Sequence, residues 1–249
     1  MRQKPLDLLL DCEQWSRIDV LLTFFSKSLY TIGFKTERQH RHFLFDACAH
    51  HSPLCHEIDN FRKIALCADV PCGNGPSLSI HSSPVVPTQK PFVIFHPWSI
   101  SRMKAVKEWP EERWVELGGR LLQAGFEIFI TGGKNDQVSS ARLSTHIGAA
   151  VSLAGKTSFP ELADYLRKAA CVISVDTGIM HFAAALHVPL IALFGPTSSK
   201  RWGPLSAQAI TLSSSHPYMY LGFEVPKQPP RCMEEISVDQ VFSAFQKMQ

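Results

Sequence analysis

The sequence predicts an α/β fold with a doubly wound parallel sheet, because apolar strand-like runs alternate with helix-like segments along most of the chain. Residues 92–95, 171–175 and 189–194 are short apolar runs, as expected for strands that are buried on both faces. Residues 111–124 have the spacing of a helix that stops at Gly125. This alternation favours helices on both faces of one sheet.

The other elements follow from the same two periodicities and from local stop signals. An apolar run at residues 6–10 predicts a buried parallel strand. A capping box from Ser237 to Gln240 predicts a closing helix with an apolar face formed by Val238, Val241, Phe242 and Phe245. The remaining predicted strands are residues 30–34 and 126–130, and the remaining predicted helices are residues 12–28, 58–67, 160–169 and 179–186.

Length and composition allow one large domain or two modest ones. The chain has 249 residues, of which 45% are hydrophobic and 19% charged, so that it can form packed cores. Prolines, glycines and serines crowd residues 71–87 and predict a linker near residues 76–88. We therefore expect an N-terminal domain plus linker over residues 1–87, and a C-terminal domain with its closing helix over residues 88–249.

Charge and cysteine usage narrow the class of protein. A formal net charge of +3 suits an anionic substrate, but the basic residues lack the density of a nucleic-acid binder. Seven scattered cysteines without a C-x-x-C pair favour reduced thiols in a cytoplasmic protein. Because no apolar stretch approaches the ~20 residues of a membrane span, contact with a membrane is expected to be at most peripheral.

The strongest candidate site follows the predicted strand at residues 171–175, which leads into Asp176-Thr177-Gly178 at the start of a small-residue helix. Gly178 permits close approach to the backbone, and a helix N-terminus offers N–H groups and partial positive charge to a phosphate. His181 could donate to a phosphate or a sugar hydroxyl, or it could be a packed core histidine. Asp176 or Thr177 could equally cap the helix.

Two further loops carry candidate ligand-binding residues. The loop at residues 96–110 places Lys107 at a helix entrance, where it can serve as a point charge for a diphosphate, and Ser99 in the same loop. For Arg102 and Lys104 a solvated role is the simpler interpretation.

The third loop, Thr131-Gly132-Gly133, ends a predicted strand and leads to Asp136, which could accept from ribose hydroxyls or lie in an ordinary surface turn. This loop is neither G-x-G-x-x-G nor a P-loop, which argues against a dehydrogenase or a P-loop enzyme.

These motifs together resemble those of the family-nine glycosyltransferases, the ADP-heptose:lipopolysaccharide heptosyltransferases. The matching segments are HP…KEWPEERW, the GG turn, SVDTGIMHFAAAL, LFGPT and the tail RCMEEISVDQVFSAF. DLLLDCEQWSRIDVLLTF and IGF…RHFLFDACAHHSPLCHEIDNF are similar to the second half of the family's acceptor domain. The resemblance implies two Rossmann-like domains facing a cleft, the GT-B arrangement, with an abbreviated N-terminal domain.

The resemblance also implies a role for individual residues. Lys107 would pair with the diphosphate of the donor, and Ser99 would bond phosphate oxygens. Asp136 would bind the ribose, and Thr157 would lie near the adenine. The segment that lines the nucleotide-sugar site would consist of Asp176, Thr177, Gly178, Ile179 and His181, the last close to the phosphates.

The implied reaction is inverting transfer of a heptose from ADP-heptose to a lipopolysaccharide core acceptor, in the cytoplasm or at the cytoplasmic face of the inner membrane. Lys107 and the helix N-terminus would stabilise the charge that develops on the departing diphosphate, so neither a metal nor a cofactor is expected. Asp11 is the visible candidate for the base that deprotonates the acceptor. Because the family's opening strand and catalytic loop are not visible, slow turnover is also expected.

Three alternatives stay open at this point. A non-catalytic nucleotide-sugar-binding fragment would keep the same loops, and measurable turnover would distinguish it from an enzyme. A Rossmann dehydrogenase would bind NAD. A metal site is suggested by a histidine- and cysteine-rich segment. The spacing of these residues matches no zinc motif and favours solvated and packing roles. The members of the segment are His40, His42, Cys48, His50, His51, Cys55 and His56.

Overall fold

The computed structural model describes residues 6–73, 75–80, 86, 88–99, 104–215 and 230–249. The chain forms two compact units, residues 1–74 (unit 1) and residues 75–249 (unit 2). The strands are β1 (Leu8–Leu10), β2 (Tyr30–Lys35), β3 (Ala47–His50), β4 (Phe92–His96), β5 (Glu127–Ile130), β6 (Ala150–Ser152), β7 (Cys171–Val175), β8 (Leu190–Phe194) and β9 (Ala209–Ser213). The helices are α1 (Arg17–Phe25), α2 (Glu57–Cys67), α3 (Lys104–Lys107), α4 (Glu111–Gln123), α5 (Gln137–Ile147), α6 (Phe159–Lys168), α7 (Gly178–Ala185), α8 (Ser199–Trp202) and α9 (Val238–Gln246).

Unit 1 is built on a parallel sheet with the strand order β1-β2-β3. Its core consists of Ile32, Phe34, Ala49 and Ile64, so that β2, β3 and α2 supply the packed interior. Gly33 in β2 is required by this packing, because a Cβ atom there would lie 2.3 Å from the ring of Phe45. A larger residue at Gly33 would therefore displace the ring of Phe45 or the strand β2.

The expectation that the first strand is buried is wrong. β1 is parallel, as predicted, but it is an edge strand in which Leu8 and Leu10 are 41% and 40% exposed. Helix α1 buries only Val20 and Thr23, whereas its apolar residues Ile18, Leu21, Leu22, Phe24 and Phe25 are exposed. The physical reason is that β2, β3 and α2 already complete the small core of unit 1, and α1 contributes two side chains to its edge.

Unit 2 contains a parallel sheet with the strand order β6-β5-β4-β7-β8-β9. Counted within the unit this is 3-2-1-4-5-6, the order of a dinucleotide-binding Rossmann fold. The direction of strand progression reverses between β4 and β7, where His96 pairs with Ser174. The α/β fold class with doubly wound parallel strands is confirmed.

The two faces of this sheet account for the uninterrupted apolar runs in the sequence. Val93 and Phe95 of β4 pack in the cluster formed with α4, α5 and α9, whereas Phe92 and Ile94 pack in the cluster formed with α6 and α7. Every residue of β4, β7 and β8 is buried. A strand covered by helices on both sides needs apolar residues at every position, which is why alternation is absent.

The closing helix α9 completes the first of these clusters. Ser237 accepts from the Gln240 amide while the Gln240 side chain accepts from the Ser237 amide, which confirms the predicted capping box. Phe245 is 2% exposed and stacks edge-on against Phe126. Just before the helix, the Ile236 carbonyl accepts from Trp109 Nε1 at 2.9 Å. The closing segment thus supports the loop that carries Lys107.

Part of the predicted linker packs in unit 2. The amide of Leu78 donates to the carbonyl of Ala185, Arg167 donates to the carbonyl of Ile80, and Val86 is buried in the core. Residues 81–85 and 87 lie outside the described residues.

Across the described ranges, no helix combines the length and the apolar character that crossing a membrane requires.

Candidate functional site

A cavity of about 510 Å³ opens at the carboxyl ends of the central strands of unit 2. This is the edge at which open parallel sheets bind ligands, next to the reversal between β4 and β7. All three loops that the sequence singles out contribute to it. The residues that line the cavity are His96, Trp98, Ser99, Lys107, Gly133, Asp136, Asp176, Thr177, Gly178, His181, Thr197 and Trp202.

Lys107 and Asp176 form the charged centre of this cavity. Lys107 Nζ lies 2.6 Å from Asp176 Oδ2, and the two side chains are only 12% and 10% exposed. The hydroxyl of Thr197 donates to the same carboxylate oxygen at 2.7 Å. The adjacent strands β4 and β7 bring the two loops together although the residues are far apart in sequence. The ammonium group is thereby fixed in the cavity wall, where it can exchange its carboxylate partner for a phosphate.

The N-terminus of α7 has no side-chain cap. Its N-cap residue Thr177 makes no capping hydrogen bond, and Thr177 Oγ1 is buried without a partner among the described residues. Asp176, the other residue that could cap the helix, turns its carboxylate to Lys107 and Thr197 instead. The capping interpretation is therefore wrong, and the first N–H groups of the helix remain available to an anion.

Asp136 lines the cavity on the β5 side, but its carboxylate already has two partners. Asp136 Oδ2 accepts from the Gly133 amide at 2.9 Å, and Oδ1 lies 3.1 Å from Lys104 Nζ. Lys104, for which a solvated role is the simpler expectation, thus forms an ion pair at the rim. A ligand could still donate to Asp136, because each carboxylate oxygen can accept a second hydrogen bond.

Ser99 lies in the cavity wall, and its backbone amide donates to Glu108 Oε1 at 2.8 Å. Burial raises the pKa of the Glu108 carboxyl group, which the amide of Ser99 partly counteracts. This bond ties the start of the loop to its end, next to Lys107. Arg102, in the same loop, lies outside the described residues.

Two predicted residues do not line the cavity. Ile179 is partly buried and packs against the apolar cluster beneath α7. Thr157 immediately precedes Ser158, the N-cap of α6.

Trp98 is a cavity residue that sequence reasoning did not single out. A Cβ atom at Gly132 would lie 2.8 Å from Trp98 Cδ1, so the first glycine of the GG turn makes room for the indole. That glycine was a usable signal, because it predicts close approach of some group. Thr197 ends the LFGPT segment but was not given a role, and Trp202 carried no signal beyond its position after a strand.

Asp11, the candidate base, lies in unit 1 in a buried ion pair. Asp11 Oδ2 accepts from Arg41 Nη2 at 2.8 Å, with side chains that are 4% and 0% exposed. Asp11 Oδ1 accepts from the amide of Glu13 at 2.9 Å, and Arg41 also donates to the Glu13 carbonyl. This geometry gives the Asp11 carboxylate a structural function as the partner of a fully buried guanidinium.

The histidine- and cysteine-rich segment spans a short 3-10 turn at His42–Leu44, strand β3 and the loop after it. His51 Nε2 lies 3.0 Å from Glu57 Oε1, and Asn60 donates to the same oxygen at 3.3 Å. Within the described ranges, no group of three or more His, Cys, Asp or Glu side chains could hold a metal ion. The pairing of His51 with Glu57 agrees with a packing role for this part of the segment.

Strand order and cavity define unit 2 as a Rossmann-type domain with a cationic, uncapped helix N-terminus at its ligand-binding edge. The chain belongs to glycosyltransferase family 9 (heptosyltransferase), whose sequence model matches residues 2–226. The resemblance drawn from the sequence motifs is confirmed.

Individual relatives support this assignment. Lipooligosaccharide heptosyltransferase 2 of Haemophilus ducreyi is 34% identical over 113 residues, which cover 43% of this chain and 32% of that protein. The match thus spans about a third of that relative's length. The structure of Escherichia coli ADP-heptose lps heptosyltransferase II has a TM-score of 0.72 at 20% identity, covering 97% of this chain and 75% of that one. E. coli heptosyltransferase WaaC with ADP has the same TM-score and identity, with 99% and 74% covered.

Proposed function

We propose that this chain binds ADP-heptose in the cavity of unit 2 and transfers the heptose, with inversion, to a lipopolysaccharide core acceptor. The observation that carries the proposal is the pairing of an uncapped helix N-terminus with a buried lysine in one cavity. Both are donors suited to a diphosphate. Membership in the heptosyltransferase family supplies the sugar and the class of acceptor.

The chemistry rests on stabilising the leaving group. Cleavage of the bond between the sugar and the diphosphate leaves negative charge on the nucleoside diphosphate. Lys107 and the N–H groups at the start of α7 face the cavity in which this charge develops, and fixed donors need little reorganisation there. We place the reaction in the cytoplasm, with at most peripheral contact with the inner membrane; the seven free cysteines agree with a reducing compartment.

The proposal is tested by an ADP titration and a transfer assay on the same sample. Calorimetry should detect ADP binding, and incubation with ADP-heptose and deacylated core oligosaccharide should release ADP only when the acceptor is present. ADP binding without acceptor-dependent release would favour the alternative, a nucleotide-sugar-binding fragment without turnover. Failure to bind ADP would overturn both.

We further expect donor binding to be independent of divalent metal ions. The physical reason is that Lys107 and the helix N-terminus already supply positive charge to the diphosphate. ADP affinity should therefore stay the same after treatment with EDTA and after readdition of Mg²⁺ or Mn²⁺. Loss of binding in EDTA with recovery upon Mg²⁺ addition would show that a metal ion bridges the phosphates.

A further inference from the structure

His96 is a buried titratable residue to which the proposed function gives no role. It ends β4 at the point where the direction of strand progression reverses, and its register partner Ser174 lies two positions before Asp176. The residue is 7% exposed, and its ring lines the cavity. A ligand that fills the cavity would lie next to His96.

The ring of His96 is neutral at pH 7. Burial lowers its pKa from 6.5 to about 4, although the nearby negative charge of Asp136 and a hydrogen bond to the Thr131 backbone favour the protonated form. A neutral imidazole has one nitrogen that donates and one that accepts. The chemistry that His96 offers to a ligand therefore depends on which nitrogen carries the proton.

The surroundings of the ring place that proton on Nδ1. Nδ1 lies 3.0 Å from the hydroxyl oxygen of Thr131, and this hydroxyl lies 3.2 Å from the carbonyl oxygen of Phe95. A carbonyl can only accept, so the arrangement that satisfies both contacts has the hydroxyl donating to Phe95 and accepting from Nδ1–H. Nδ1 makes the side-chain hydrogen bond of the ring among the residues that the structure describes, and His96 lines the cavity. With the proton on Nδ1, the lone pair of Nε2 is the acceptor of this ring.

We propose that Nε2 of His96 accepts a hydrogen bond from a hydroxyl group of the bound nucleotide sugar, a specificity contact that rests on the proposed function. The other cavity groups explain why such an acceptor matters. Lys107 and the start of α7 are donors for phosphates, whereas the Asp136 and Asp176 carboxylates already hold lysines. Sugar hydroxyls need acceptors, and a neutral imidazole can provide one without repelling the adjacent diphosphate.

The tautomer can be read directly by ¹⁵N NMR of the whole chain labelled at histidine, with His96→Gln identifying the signals of this ring. At pH 7 we expect a protonated Nδ1 and an unprotonated Nε2, and the Nε2 resonance should move when a nucleotide ligand saturates the cavity. A proton on Nε2, or an Nε2 resonance that neither ADP nor ADP-heptose moves, would overturn the proposal. The tautomer itself is read from the wild-type chain, and His96→Gln serves only to assign its signals.

Binding measurements with variants identify the hydroxyl. His96→Phe keeps a planar ring without an acceptor, and we expect roughly 2- to 12-fold weaker binding, the usual effect of one neutral hydrogen bond. Weaker binding of ADP would indicate a ribose hydroxyl, whereas weaker binding of ADP-heptose alone would indicate the transferred sugar. His146→Phe, at a half-exposed ring, serves as the control.

Unchanged affinity of His96→Phe for both ligands would overturn the contact. A wild-type chain that binds neither ligand would instead overturn the proposed function, even if the Nδ1–H tautomer is observed, so the two failures are distinguishable.

Discussion

Replacing Asp11 by alanine is expected to destabilise unit 1 by about 3–5 kcal/mol, because it leaves the fully buried guanidinium of Arg41 without its counter-charge. The loss should be confined to unit 1, since the ion pair and its neighbour Glu13 both lie there. Pulse proteolysis in urea, with the cleavage sites located by mass spectrometry, would measure the change in the free energy of unfolding.

Two further variants separate a structural from a catalytic role of Asp11. Replacing both partners, as in Asp11→Leu with Arg41→Met, should restore most of the lost stability, because no buried charge is then left unpaired. Asp11→Asn keeps the shape of the side chain. If Asp11→Asn lowers the transfer rate by ~10²–10⁴-fold without altering resistance to proteolysis, the residue acts as the base and our structural assignment is wrong.

Lys107→Ala is expected to weaken ADP binding by about 1.5–3 kcal/mol, roughly 10- to 150-fold in Kd, the range for a hydrogen bond to a charged group. The structure suggests the upper part of that range. Without the ammonium group, the Asp176 carboxylate keeps only its Thr197 partner and faces the diphosphate with its full charge. Calorimetric titration of wild type and variant measures the difference.

Asp176→Asn in the Lys107→Ala background should recover part of the lost affinity, because it removes the repelling charge. Lys168→Ala is the matched control: this exposed lysine ends α6, just before the amino end of β7, so it lies at the opposite edge of the sheet from the cavity. Equal ADP affinity of wild type and Lys107→Ala would remove this lysine from the binding site.

The fold of unit 2 could be predicted from the sequence because its central strands carry an unambiguous pattern. β7 matches its predicted range, and β4 and β8 differ from theirs by one residue. These strands are buried on both faces of the sheet, so every position needs an apolar side chain and the apolar run marks the strand. Strong stop signals, such as Gly125 after α4, fixed the ends of the flanking helices.

Elements that depend on tertiary contacts were not predictable in the same way. β3 and the edge strands β6 and β9 are only partly buried, and β3 and β6 are also short, so their sequences lack a strong strand pattern. Helix α5 contains polar residues at many positions and buries only Ser140, Leu143 and Ile147. Such segments take their conformation from the neighbours against which they pack.

In the candidate site, too, some features could be predicted from the sequence and others depend on tertiary contacts. Lys107 and the Asp176-Thr177-Gly178 segment follow strands whose position was clear, and the structure brings them together in one cavity. The pairing of Lys107 with Asp176 could not be read from the sequence, because it requires β4 and β7 to be neighbours. The same holds for His96, whose Nδ1 lies 3.0 Å from the hydroxyl of Thr131, the residue that follows the adjacent strand β5.

The strand order of unit 2 also determines which backbone amides exchange with deuterated solvent first. β6 and β9 are the outer strands and are partly exposed, so their amides exchange through local fraying. The inner strands β4, β7 and β8 are buried along their whole length, so we expect their amides to exchange only when the whole unit unfolds. Because most of the cavity follows these inner strands, a ligand that stabilises it should slow the slowest-exchanging amides and leave the fraying edges almost unchanged.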